Sequence, residues 1–292
     1  MKRLALWVGS ALLAALGLLV GYGVLVEPRL LLDKDRFTMA LPQFPADAPG
    51  RTVAVFSDLQ TGMWFSNTGM VEKAVEEVVM ERPAAALIGG DFVYSRDPAP
   101  AEQMDLVVEL LAPLTTAGIP TFAVLGNHDY AVDAADEVIA GLESIGIRVL
   151  RNEAVPIPGT ESGGTELYVV GLGPARLDRT DVEAALAAVP DDAPRVVLMH
   201  NPTSFPRLPA DSAPLAVAGH THCGQVAIPF TPVWSYLELT SEERVVTDGW
   251  APSGYGASGN RLYVNCGIGF SLVPMRIAAP PQVVFFDLRG AA

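Results

Sequence analysis

The chain has 292 residues, half of them hydrophobic, so it can build one large domain or two ordinary ones, and global disorder is excluded. A formal net charge of −14 argues against a nucleic-acid partner, which calls for a basic surface. Any anionic substrate must then be attracted locally, by bound metal or a few arginines, against an unfavourable overall field.

In chain order, the first feature is an uncharged run, residues 4–26 ("LALWVGSALLAALGLLVGYGVLV"), preceded by Lys2 and Arg3. At a helical rise of ~1.5 Å per residue it can cross a hydrocarbon core of about 30 Å. The basic N-terminus places the short end in the cytoplasm and the remainder outside, as a single-pass cell-membrane protein with an extracytoplasmic domain. A cleaved signal peptide is the alternative, since "GYG" offers small residues before Val24; the length of the run favours an uncleaved anchor. Residues 1–26 are thus read as cytoplasmic N-terminus and membrane anchor, 27–50 as a Pro-interrupted stalk or edge segment, and 51–292 as the remaining domain.

From there the pattern is regular. "TVAVFS" (52–57), "AAALIGG" (84–90), "PTFAVLG" (120–126) and "IRVL" (147–150) read as strands. Helices are expected over 70–82, ending at Pro83, over 101–118 with a bend or stop at Pro113, and over 133–146. This alternation implies βαβ units around a buried sheet, an α/β fold. Strands follow at 165–173, 195–200, 214–219, 225–229, 261–266 and 282–288, with one helix over 179–189 capped by Thr180. The stretch from Thr231 to Asn260, carrying Trp234, Tyr236, Trp250 and Tyr255, reads as a long loop.

The polar residues lie where the strands end: Asp58 and Gln60 in "SDLQ", Asp91 in "GGDF", Asn127, His128 and Asp129 in "GNHD", His200 in "LMHN", His220 and His222 in "GHTH". In open α/β sheets such ends converge on one site, and all four histidines of the chain belong to this set. Carboxylates, imidazoles and amide oxygens together suit divalent ions such as Mn, Fe or Zn. The set is too rich for one tetrahedral zinc and would serve two ions roughly 3.5–4 Å apart, as in two-metal phosphoesterases.

The order of these blocks resembles the calcineurin-like metallophosphoesterase superfamily. "GNHDY", "GHTHCGQV" and "YVNCGIGFSLVPMRIAAPPQVVFFDL" resemble its bacterial membrane-anchored phosphodiesterase branch of YaeI- and YkuE-like enzymes. The resemblance implies a ββ sandwich flanked by helices (αββα) over 51–292, preceded by the one N-terminal transmembrane helix. It implies Asp58, Gln60 and His222 on a first metal, Asn127, His200 and His220 on a second, and Asp91 bridging both. A hydroxide bridging the ions would attack phosphorus, while His128, oriented by Asp129, protonates the leaving oxygen. In an extended "GHTH", His220 and His222, two residues apart, address one site. The substrate class implied is a phosphodiester or diphosphate, and the membrane anchor fits a lipid-linked one; phosphomonoesters are the alternative and would need basic groups such as Arg276. A weakened metal-binding module is a further one, because Gln60 stands where the family usually has His. That exchange shifts the metal preference towards Mn or Mg, with Mn favoured. Tyr94 stands where many members have an acidic residue three after the bridging Asp.

Two cysteines, Cys223 and Cys266, are too few for a disulfide scaffold, and are one bridge, two buried thiols or, third in order, ligands. Trp64 and Phe65 form either an aromatic rim, with Trp234 and Trp250, or a small satellite core. Nothing in the sequence sets an oligomeric state.

Overall fold

The computed structural model describes residues 2–44, 50–161, 166–228 and 248–290, together with the backbone of 231–235. The apolar run forms helix α1 (Lys2–Gly21), passes through a π-helical turn (Tyr22–Val26) and ends in α2 (Glu27–Leu30). Strands β1 (Asp33–Leu41) and β2 (Arg51–Phe56) are followed by α3 (Thr68–Glu81), β3 (Ala85–Ile88), α4 (Pro100–Thr116) and β4 (Thr121–Ala123). Then come α5 (Asn127–Ala131), α6 (Ala135–Ser144), β5 (Arg148–Val149), β6 (Glu153–Pro156), β7 (Tyr168–Gly171), α7 (Val182–Leu186) and β8 (Arg195–Leu198). The chain closes with β9 (Ala216–Ala218), β10 (Ala227–Ile228), β11 (Thr231–Ser235), β12 (Gly249–Trp250), β13 (Leu262–Val264) and β14 (Gln282–Gly290).

Two six-stranded sheets result, in the orders β1-β14-β2-β3-β4-β5 and β12-β13-β9-β8-β7-β6. Strands β2 to β5 run parallel, as do β7, β8, β9 and β13, while β14 lies antiparallel to β2. Strand alternation divides the side chains between layers. Val53, Val55, Leu87, Val196, Leu198, Val217, Val284 and Phe286 meet between the sheets. Ala54, Phe56, Ala86 and Ile88 face outward onto α3, α4 and α6, and Val197 and Met199 face outward on the other sheet beside Ala185 of α7. This is the expected helix–sheet–sheet–helix layering. Strands buried on both faces read as unbroken apolar runs, which is why "TVAVFS" and "RVVLMH" are recognisable as strands.

Several expectations need correction. Of the two readings of 27–50, residues 33–41 follow the edge segment: β1 pairs with β14 along its whole length at the edge of the first sheet. Helix α4 does not end at Pro113 but runs on to Thr116, held down by buried Leu111 and Leu114. The cap of α7 is Asp181, whose carboxylate accepts from the Ala184 amide at 3.0 Å. Thr180 instead donates to the Gly173 carbonyl. The supposed loop 231–260 contains β11 and β12. Trp250 packs edge-on against Phe37, Tyr263 and Phe286 and belongs to the core margin, not to a rim. Tyr236 and the Trp234 side chain lie outside the described residues.

Candidate metal centre

The polar residues collect where β2, β3, β4, β8 and β9 end, so both sheets supply them. Asp58, Gln60, Asp91, His220 and His222 all take positive φ, between 50° and 74°. Strain of this kind gathers at functional sites, and here it turns each side chain off the strand axis just after the strand stops. The extended "GHTH" is therefore wrong in its reason: His220 and His222 are left-handed, and His222 opens a short 3-10 turn. They still reach different partners.

The centre is organised around one atom. Asp91 Oδ2 lies 3.3 Å from His200 Nε2 and 3.0 Å from Gln60 Nε2. On the His200 side, Nε2 is 3.1 Å from Asn127 Oδ1 and 3.2 Å from His220 Nδ1. On the Gln60 side, the amide nitrogen is 3.3 Å from His222 Nε2, which lies 3.7 Å from Asp58 Oδ1. All seven side chains predicted as ligands are thus brought together in two halves sharing Asp91. Ligand atoms of Asp91, His200 and His220 fall within 4.8 Å of one another, a group able to hold a metal ion.

The donor set fits divalent ions on a specific observation. Gln60 Oε1 is buried without a hydrogen-bond partner, which is costly for an amide oxygen. A half-turn of the amide exchanges this oxygen with the nitrogen that faces Asp91 and His222, giving it a ligand's position. His200 is oriented the same way: Nδ1 donates to the Gly89 carbonyl at 2.7 Å and leaves Nε2 for the centre, the usual arrangement behind a metal-ligating imidazole.

Burial and charge oppose each other here. Burial alone would raise the Asp91 carboxyl, but His200, His128 and His220 outweigh it and hold the group below the ordinary range. Burial likewise works against a charge on His200, yet Asp91 pushes that imidazole up to about 10. For His222, burial wins over the pull of Asp58 and lowers it to about 4.

The Asp129 carboxylate is turned to the backbone beside His128. Its two oxygens accept from the backbone amides of Gly126, Asp91, Phe92 and Val93, at 2.8 to 3.2 Å, so it fixes the turn that aims Asp91. Burial, with the Asp91 charge beside it, pushes this carboxyl up to about 7. Gly126 is needed at the same turn, because a Cβ there would stand 2.0 Å from Asp91 Oδ1. The imidazole of His128 stacks on Tyr94, centroids 4.9 Å apart, and the Tyr94 hydroxyl accepts from the Leu272 amide at 3.0 Å. Tyr94 also lines a cavity of about 520 Å³ with Met63, Trp64, Ser95 and Gln103.

Sequence reasoning missed Ser57 and Asn265. Ser57 Oγ bonds the Asp58 carboxylate and lies 3.1 Å from Asn265 Oδ1, so the two brace Asp58 from behind. The asparagine in "YVNCG" gave no spacing signal, since its partner is over two hundred residues away. Arg276 is wholly buried, donates to the carbonyls of Gly269, Ala279 and Cys266, and lies 3.3 Å from His222 Nδ1. Cys223 and Cys266 are bonded, with their Cα atoms 4.6 Å apart, which ties the segment after His222 to the segment after Asn265.

Residues 51–224 match the model of the calcineurin-like phosphoesterase family. The chain is similar to the uncharacterized metallophosphoesterase YkuE of Bacillus subtilis, with 24% identity covering 92% of this chain and 90% of that protein. It is similar to the phosphodiesterase YaeI of Escherichia coli, with 30% identity covering 77% of each. It is also similar to a Danio rerio transmembrane protein with a metallophosphoesterase domain, with 24% identity covering 97% of this chain and 61% of that one.

Proposed function

The chain belongs to the calcineurin-like phosphoesterase family, a metal-dependent phosphoester hydrolase, and from that membership we propose that it cleaves phosphodiester or diphosphate bonds at a two-metal centre. The observation that carries this reading is the single oxygen, Asp91 Oδ2, in reach of both ligand halves. Asp58, Gln60 and His222 would hold one ion, Asn127, His200 and His220 the other, and Asp91 both. Divalent ions there, with Mn favoured, supply Lewis acidity and lower the pKa of water. The protein's own part is to hold the phosphoryl oxygens in line and to deliver a proton. His128, set at the edge of the centre by the Tyr94 ring, gives its proton to the departing oxygen.

Diesters are preferred over monoesters because Arg276, the basic residue named for a phosphate dianion, is spent on backbone carbonyls inside the core. The helix from Lys2 to Leu30, uncharged over residues 4–26, is long and apolar enough to cross a membrane, and in this reading it is a single-pass anchor with the domain on the extracytoplasmic side. A lipid-linked phosphoester is then the natural substrate.

The test is hydrolysis of bis-p-nitrophenyl phosphate against the monoester by the full-length chain in detergent, loaded separately with Mn, Mg or Zn. Metal-dependent diester cleavage is expected, falling roughly two to three orders of magnitude in Asp91→Asn together with bound metal. Faster monoester turnover, or cleavage indifferent to Asp91→Asn, would sink the reading.

A further inference from the structure

The anchor helix is not joined to the domain by a free linker. The Gly23 carbonyl, still inside the uncharged run, accepts from the Arg276 amide at 2.8 Å. A Cβ on Gly23 would stand 2.7 Å from Ile277 and 2.8 Å from Met275, so the domain touches the helix directly there. One turn later the buried Glu27 carboxylate accepts from the amides of Ala278 and Ala279 at 3.0 and 2.7 Å. Arg29 donates to the carbonyls of Ser66 and Phe65 and to Asn67, whose amide returns a bond to Pro28. A helix that crosses ~30 Å of hydrocarbon with residues 4–26 emerges at this clamp, so segments 61–67 and 269–279 lie at the membrane boundary.

Those two segments carry exposed apolar side chains. Trp64 is 65% exposed, Phe65 53%, Leu272 54% and Val273 37%, four of the seven large hydrophobics exposed beyond residue 31 among the described residues. Phe65 and Leu272 hold positive φ, and the Leu272 amide is pinned by the Tyr94 hydroxyl. Gln225, just past the "GHTHC" block, donates to the carbonyls of Ser271 and Val273. The same loops therefore join the anchor, the apolar collar and the edge of the metal centre. Aromatic residues with one apolar and one wet side favour the headgroup region.

We propose that Trp64, Phe65, Leu272 and Val273 rest in the headgroup region of the bilayer, so that the metal centre opens on the membrane surface and takes phosphodiesters of lipids lying in it. This rests on the single-pass reading above and names the substrate class of that same site. Both native cysteines are in the bridge, so a cysteine introduced by Trp64→Cys, Val273→Cys or Met80→Cys is the one free thiol in the described residues. Met80, 68% exposed near the far end of α3, is the reference. Each full-length variant is nitroxide-labelled and reconstituted in phosphatidylcholine vesicles, and relaxation by oxygen is compared with relaxation by a water-soluble nickel complex.

Labels at 64 and 273 are expected to be relaxed mainly by oxygen, with nickel contact at least tenfold below that at 80. If either collar label is as open to nickel as the label at 80, the proposal is wrong. Alkaline extraction of the same vesicles tests the anchor: a chain that washes off overturns anchor and collar together. Bis-p-nitrophenyl phosphate hydrolysis by the same preparations reports separately on the hydrolase reading.

Discussion

At the scale of single residues, the division between Asp129 and Tyr94 decides what His128 can do. Asp129 accepts from four backbone amides, and the imidazole stacks on the face of Tyr94. His128→Ala is expected to lower diester turnover on the order of 10²–10⁴-fold while leaving bound metal unchanged, which elemental analysis of the purified variant checks. His200 gives a prediction of the opposite kind. Its imidazole, pushed up to about 10 by Asp91, holds a proton at neutral pH that an ion on Nε2 must displace. Metal affinity should therefore rise with pH up to about 10 and fall as the solution is acidified, with proton release on binding at pH 7 in calorimetry run in two buffers. No proton release at that pH would mean that Nε2 is not the ligand atom.

At the scale of elements, the segment after β9 and the segment after β13 are held together by Cys223–Cys266, across a sequence separation of 43. A cross-link of that span stabilises by ~4 kcal/mol on the chain-entropy account. Replacing both cysteines by serine is expected to lower the melting temperature by several degrees and to loosen His222 before His200, read as weaker binding of the ion on the His222 half while the ion on the His200 half is retained. The elements themselves were largely legible in the sequence where burial on both faces writes an apolar run, as in β2, β3 and β8. The five polar blocks were legible because each sits just past such a run. What escaped were relations that no local pattern encodes. Leu111 and Leu114 carry α4 past Pro113, β1 finds its partner at the other end of the chain, and the strand of Tyr263 receives Trp250. The disulfide was one of three open readings because Cα separation has no sequence signature. The conformation of His220 and His222 escaped for the same reason: positive φ at a histidine is imposed by the turn around it.

At the scale of the whole molecule, the site joins two layers. Asp58, Gln60, Asp91 and Asn127 come from the first sheet, and His200, His220 and His222 from the second. An ion that binds only the assembled form stabilises it by mass action, ~2.7 kcal/mol at a hundredfold excess over Kd. Adding Mn to the stripped protein should raise the melting temperature by several degrees, and Asp91→Asn should abolish the rise. An equal rise in that variant would place the stabilising ion elsewhere.

The two layers also divide the ligand chemistry. Carboxylates and amides stand on one, and imidazoles on the other; the imidazole on the first layer, His128, is outside the ligand set. A nascent chain that has made only β2, β3 and β4 offers the oxygen donors but none of the candidate imidazole ligands, and is a poor trap for borderline divalent metals. Metal held by imidazoles is therefore expected only once β8 and β9 have packed against β2, β3 and β4.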